Sequence, residues 1–228
     1  MVNLTAALTH PYHPAALSLP HYTPPQLTRT HILAVFFSAV FVVLGVAYQI
    51  ITATRRHSTP RRLLFLWFIT CGFIHSVVEG YFAYNHKAIA GQDAFLAEMW
   101  KEYALSDSRY MSADPFVVVM ESVTAYTWGP LSFLTAYTIY TNSPLSPLLE
   151  FLVSTGQLYG DVLYYLTTLI EGAPHCSQDP FHFWFYFVFL NAFWIVIPAC
   201  VMFASGARMV RAVSRAETPA AGSKKKVM

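Results

Sequence analysis

The chain has 228 residues, of which 55% are hydrophobic, 16% aromatic and only 11% charged, with a formal net charge of +2. That balance is too apolar for an ordinary soluble domain of this length. It also leaves no basic aromatic patch of the kind that binds nucleic acid, and no glycine loop that would cradle a phosphate.

The first 30 residues carry prolines and histidines instead of an apolar core and cleavage site, so they read as an N-terminal arm and not as a cleavable signal peptide. "HILAVFFSAVFVVLGVAYQIIT" (31–52) has no charged residue and is long enough to cross a bilayer, which takes about 20 apolar residues. Four further runs, 63–84, 115–141, 145–170 and 181–206, are equally long but each holds a proline, an acid, an asparagine or a histidine. Continuous apolar runs of this length argue against a β-barrel. The expectation is an all-α membrane protein, a bundle of five transmembrane helices spanning 31–206, with a basic tail at 207–228.

Ten of the fourteen Lys and Arg residues lie in "RRHSTPRR" and in the tail. With five spans both segments fall on one side, which the positive-inside rule makes cytosolic, and the N-terminus is then luminal. The chain ends in "KKVM", which reads either as a dilysine retrieval signal of the endoplasmic reticulum or as a solvated tail against anionic lipid headgroups. In loop 85–114, Phe95, Leu96, Met99, Trp100 and Tyr103 recur at helical spacing with Glu98, Lys101 and Glu102 between them. That pattern predicts an interfacial amphipathic helix, either a lid or a plain surface helix. Cys71 and Cys200 fall in spans and Cys176 in a loop, so no disulfide framework is expected. Neither His10 and His13 nor His175 beside Cys176 has the spacing of a metal site.

Titratable groups inside the spans need a reason, because charges in hydrocarbon cost at least about 2.5 kcal/mol on insertion scales. At about 1.5 Å per residue, Glu79 and Glu121 lie about 8 and 9 Å below the luminal surface, and Asp161, His75 and Asn191 about 13 to 15 Å. Four helices thus send polar side chains into one layer. His75 and Glu79 are four residues apart; Glu121, Thr124 and Trp128 share a face, as do Gln157, Asp161 and Tyr164, and Asn191 with Trp194. For Gln157 and Asp161 the plainer reading is an interhelical hydrogen bond holding the bundle together. Glu150, near the cytosolic end, is expected to snorkel to the surface. Two carboxyls and an imidazole in a water-poor pocket suit proton transfer to and from an apolar substrate, with the indole of Trp194 facing a developing cation. Protonating an alkene and removing a neighbouring proton is redox-neutral and calls for no cofactor.

"HSVVEGYF", "WKEYALSDSRY", "MESVTAYTWGP", "GQLYGDVLYY" and "FWFYFVFLNAFW" together resemble, in order, the motifs of the emopamil-binding protein family of sterol Δ8–Δ7 isomerases. The resemblance runs from about Thr30 to Phe203. It implies a five-helix protein of the endoplasmic reticulum membrane, often a homodimer, that acts on a Δ8-sterol, lives among membrane lipids and also binds cationic amphiphilic amines. It implies His75, Glu79 and Glu121 as catalytic groups, Thr124, Asn191, Trp194 and Tyr110 as substrate- or cation-stabilising groups, and Asp107 and Arg109 as the luminal loop motif. Trp128, Gln157 and Asp161 are taken as supporting residues. Which group is acid and which is base stays open, with Thr124 expected to orient Glu121. The same superfamily holds sigma-2-type receptors and paralogues that bind sterols or drugs without turnover, so a sterol-binding regulator is the alternative.

Overall fold

A computed structural model describes residues 10–54 and 56–217; the "KKVM" terminus lies outside them. The regular structure of the described residues is all helical, with no strand beyond an isolated bridge between Asp107 and Cys176. Five helices are long: α1 Arg29–Ala53, α2 Thr59–Asn85, α5 at 115–140, α6 Ser146–Ile170 and α7 His182–Glu217. The loop between α2 and α5 adds two short ones, α3 Phe95–Tyr103 and α4 Arg109–Ser112.

Each long helix starts where the sequence can satisfy or dispense with its free N–H groups. Thr28 caps α1 by accepting from the His31 N–H at 3.3 Å. Asp114 caps α5 through the Val117 N–H at 3.1 Å, with Pro115 in the first turn, and Asp179 accepts from the His182 N–H at 3.0 Å. Prolines also open α2 and α6.

Among the described residues, three helices, α1, α2 and α7, are long and apolar enough to cross a membrane. α5 and α6 are of similar length but dilute their apolar residues with Thr, Ser, Tyr and the polar groups Glu121, Gln157 and Asp161. The long helices pack side by side in the order α1, α2, α5, α6, α7, and the ring stays open between α7 and α1. Much of α1 faces outward: Phe41, Val42, Val46 and Ile50 are exposed apolar residues.

Two apolar clusters hold the bundle. One, around Phe82, Trp100, Tyr110, Tyr164 and Phe187, lies at the end that carries loop 85–114; the other, around Ile51, Phe65, Phe68, Ile139 and Val153, lies at the opposite end. At that opposite end the structure overturns the expectation that Glu150 snorkels. Its fully buried carboxylate takes hydrogen bonds of 2.6 Å from Arg61 Nη1 and from the Ser146 hydroxyl, and it pairs with Arg208. Partners on α2, α6 and α7 are within reach, so the acid stays inside.

α3 departs from a plain surface helix. Its polar face is as buried as its apolar one, because the N-terminal arm lies across it. Glu98 Oε2 accepts from the backbone N–H groups of Gln26 and Leu27 at 2.5 and 2.9 Å. The fully buried Lys101 donates to Glu98 and Thr23, each at 3.0 Å.

Three of the long helices are interrupted by wider turns with i→i+5 hydrogen bonding, a feature that recurs at functional sites. They span Ile74–Glu79 in α2, Thr124–Trp128 in α5 and His182–Leu190 at the start of α7. The first two lie against each other. Gly129 permits that approach, since a Cβ there would sit 2.4 Å from Ser76 Oγ and 3.1 Å from the Ser76 nitrogen.

Candidate active site

The open side of the ring leads into an apolar cavity of about 1040 Å³, at the upper end of the range for small-molecule sites. Ile32 and Phe36 of α1, Trp67 of α2 and Ile197 of α7 contribute apolar wall. His75, Glu79, Glu121, Thr124, Gln157, Asp161, Asn191, Trp194 and Tyr110 all line it.

His75 is fixed on three sides. Its Nδ1 lies 2.8 Å from Glu79 Oε2, its Nε2 lies 3.0 Å from the Gln157 amide nitrogen, and its ring centroid lies 4.7 Å from that of Trp194. Glu79 on Nδ1 and Gln157 on Nε2 therefore hold the imidazole from both ring nitrogens. Trp194 is backed in turn by Trp67 at 5.3 Å.

Glu121 is held from the loop. The Tyr110 hydroxyl donates to its Oε1 at 2.6 Å, and both side chains are buried. Burial first, and the Glu121 charge second, hold the Tyr110 phenol well above its usual range, so it remains a donor. The carboxyls of Glu79 and Asp161 act on Glu121 electrostatically.

Thr124 does not orient Glu121. Its hydroxyl is spent on the Met120 carbonyl at 2.9 Å, the usual back-bond of a helical threonine, and it contributes to the cavity wall instead. Asn191 closes the wide turn at the start of α7, donating to the Phe187 carbonyl at 2.8 Å and to the Tyr103 hydroxyl at 3.0 Å.

Asp107, Arg109 and Trp128 stand behind the wall and do not line the cavity. Asp107 Oδ2 takes Arg109 Nη2 at 2.6 Å and the hydroxyl of the cavity residue Tyr164 at 2.8 Å, and the guanidinium lies over the Tyr164 ring at 4.9 Å. Burial opposes the Arg109 charge, but Asp107 outweighs it and raises the pKa. This buried pair ties the loop that carries Tyr110 to α6. Trp128 fills the notch at Gly156, where a Cβ would meet its indole at 2.3 Å.

Spacing along the chain did not single out three further groups. Trp100 donates its indole N–H to the Val78 carbonyl at 3.0 Å, inside the wide turn that carries His75 and Glu79, and stacks on Tyr110 at 4.9 Å. Tyr103 supports Asn191. Both belong to the apolar stripe of α3, which was legible as a helix face but not as part of the site. Glu102 also reaches the cavity, bonded to Arg29 at 2.7 Å.

Residues 95–205 match the model of the EBP family, EXPERA (EXPanded EBP superfamily). The 3-beta-hydroxysteroid-Delta(8),Delta(7)-isomerase of Rattus norvegicus is 42% identical over 197 residues, covering 85% of this chain and 86% of the relative. This chain belongs to the EBP family. The EBP-family enzyme of the same description from Cavia porcellus is 40% identical over 231 residues, 99% of this chain and 100% of the relative. Isomeliandiol synthase MOI2 of Melia azedarach is 32% identical over 164 residues, 72% of this chain and 76% of the relative. The EBP family model covers Tyr110, Glu121, Asp161, Asn191 and Trp194, while the likeness to the full-length Cavia porcellus relative also takes in His75 and Glu79.

Proposed function

We propose that this EBP-family chain is a sterol Δ8–Δ7 isomerase. The observation that carries the reading is the pairing of two differently held acids, Glu79 on His75 and Glu121 on Tyr110, in one apolar cavity walled by Trp194. Close relatives named as isomerases of this class point the same way.

The reaction adds a proton to C9 of the C8–C9 double bond, leaves a cation at C8 and removes a proton from C7 to form the C7–C8 double bond. The His75 and Glu79 pair delivers or recovers the proton. Glu121, with Tyr110 donating to one oxygen, stabilises the cation or takes the C7 proton. The Trp194 ring presents its π face to the transient charge. Water excluded from the apolar walls strengthens each of these interactions and protects the cation from capture. The same acids accept cationic amphiphilic amines, whose charge imitates the intermediate.

The fuller topology is part of the proposal. α5 and α6 cross the membrane with α1, α2 and α7, giving five spans in the endoplasmic reticulum membrane with loop 85–114 luminal and the basic segments cytosolic. Shielding of Glu121 within α5, and of Gln157 and Asp161 within α6, supports this reading because it offsets the polarity of the two helices. Assembly as a homodimer is included on the family's precedent.

The test is incubation of the purified protein with zymosterol in heavy water, followed by mass spectrometry of the sterols. A Δ7 product carrying one deuterium is expected. Unchanged substrate from folded protein that still binds sterol would overturn the reading in favour of a non-catalytic sterol binder.

A further inference from the structure

Most polar groups on the cavity wall already have a protein partner. Glu79 has His75, Glu121 has Tyr110, Asn191 has Tyr103, and Glu102 has Arg29. Asp161 differs. It lines the same cavity and is 8% exposed, yet its Oδ2 has no hydrogen-bond partner among the described residues. One helical turn earlier, Gln157 is 5% exposed and its Oε1 is likewise unpartnered, its amide nitrogen being turned toward His75. Gly160, between them in sequence, also lines the cavity, and a Cβ added to it would meet nothing within 4 Å.

Buried acceptors without a donor are destabilising, and native folds satisfy nearly all of them with protein, water or ligand. We propose that Asp161 and Gln157 form a hydroxyl subsite in which the 3β-hydroxyl of the sterol donates its proton to Asp161, with Gln157 flanking it. The inference rests on the isomerase reading. A sterol of the class in the relatives' names has that hydroxyl as its one strong hydrogen-bond donor, and the cavity offers two buried acceptors to match. The hydroxyl and the migrating double bond sit on fused rings, and Asp161 is an electrostatic neighbour of Glu121. Anchoring the first therefore sets the second against the acids. Asp161 in this reading is a binding and positioning group that exchanges no proton with the ring carbons.

The experiment compares zymosterol with its 3-deoxy analogue on the full chain reconstituted in lipid, for the wild type, Asp161→Leu and the near-isosteric Asp161→Asn. The wild type should prefer the hydroxylated sterol by at least about tenfold in kcat/KM, as expected for a buried hydrogen bond to an acid. In Asp161→Leu that preference should fall close to one, chiefly through a higher KM for zymosterol, while Asp161→Asn, which keeps an acceptor oxygen, should retain most of it. Absence of a preference in the wild type, or an equal loss on both sterols in Asp161→Leu, would overturn the subsite; an equal loss would also be the result for a side chain that only satisfies a trapped water. Failure of the wild type to form Δ7 product would count against the isomerase reading. Displacement of radiolabelled zymosterol by the same two sterols then reads the hydroxyl preference without turnover.

Discussion

The two acids of the cavity reach their geometry by different routes, and that difference separates their expected phenotypes. Glu121 depends on a single donor, Tyr110, while its remaining capacity faces the cavity. Replacing it with Gln keeps shape and removes the exchangeable charge. Turnover should fall at least about a hundredfold, in the range for loss of a general acid or base, with the thermal midpoint little changed; steady-state kinetics and a melting curve check both. Trp100 supports the segments that carry both acids, through the Val78 carbonyl and through the Tyr110 ring. Trp100→Phe keeps the stacking and deletes the hydrogen bond. Loss of that buried hydrogen bond should cost about 0.5–1.5 kcal/mol, read as a lower melting temperature together with a fall in kcat. Titratable groups inside long apolar runs stand out in a sequence because burying them is costly, and so His75, Glu79 and Glu121 could be picked out as candidates that the fold places on one cavity. Their partners Tyr110 and Trp100 come from a loop whose linear spacing carries no record of where it folds back.

The helices themselves were readable as long apolar runs, to within a few residues at most ends. The chief exception is α7, which continues to Glu217 and takes Arg208 into the ion cluster at Glu150. The wide turns were not readable, because the same residues fit i→i+4 and i→i+5 bonding equally well and the choice is made by the neighbouring helix. Gly129 is where that choice is enforced. In Gly129→Ala the new methyl group would press on the Ser76 backbone, which flexes less readily than a side chain, and would touch His75 Cβ at 3.4 Å. We expect about 1–3 kcal/mol of destabilisation from overpacking. We also expect a larger effect on kcat than on KM, because the displaced turn carries His75 and Glu79 but only Ile74 and Val78 of the extensive apolar wall; full kinetics on the variant would distinguish this from a general loss of fold.

At the scale of the molecule, the arm 10–28 is structural. Its prolines and histidines marked it only as an N-terminal arm, and the structure lays it over α3 through Tyr12, Thr23, Gln26 and Leu27. It ends at Arg29, whose pairing with Glu102 ties the start of α1 to the loop. Burial opposes ionisation of Glu102, but hydrogen bonds and charge from His182 and Arg29 prevail and hold its pKa below the usual carboxylate value. A depressed acid stabilises the fold above its unfolded pKa, and that stability is lost as pH falls through its folded pKa. Arg29→Gln should therefore lower the melting temperature at neutral pH by the equivalent of about 1 kcal/mol or less, since Arg29 is partly exposed. The gap to wild type should hold down to about pH 4.5 and narrow below it as Glu102 is protonated in both proteins; melting curves between neutral pH and about pH 3 would show it.

The opening between α1 and α7 also has a kinetic meaning. A cavity that faces its surroundings through the side of the bundle samples substrate in two dimensions, so the quantity that governs saturation is the mole fraction of sterol among surrounding amphiphiles. Adding inert detergent or phospholipid at a fixed amount of sterol and protein should slow turnover in proportion to dilution, although the bulk molarity of substrate never changes.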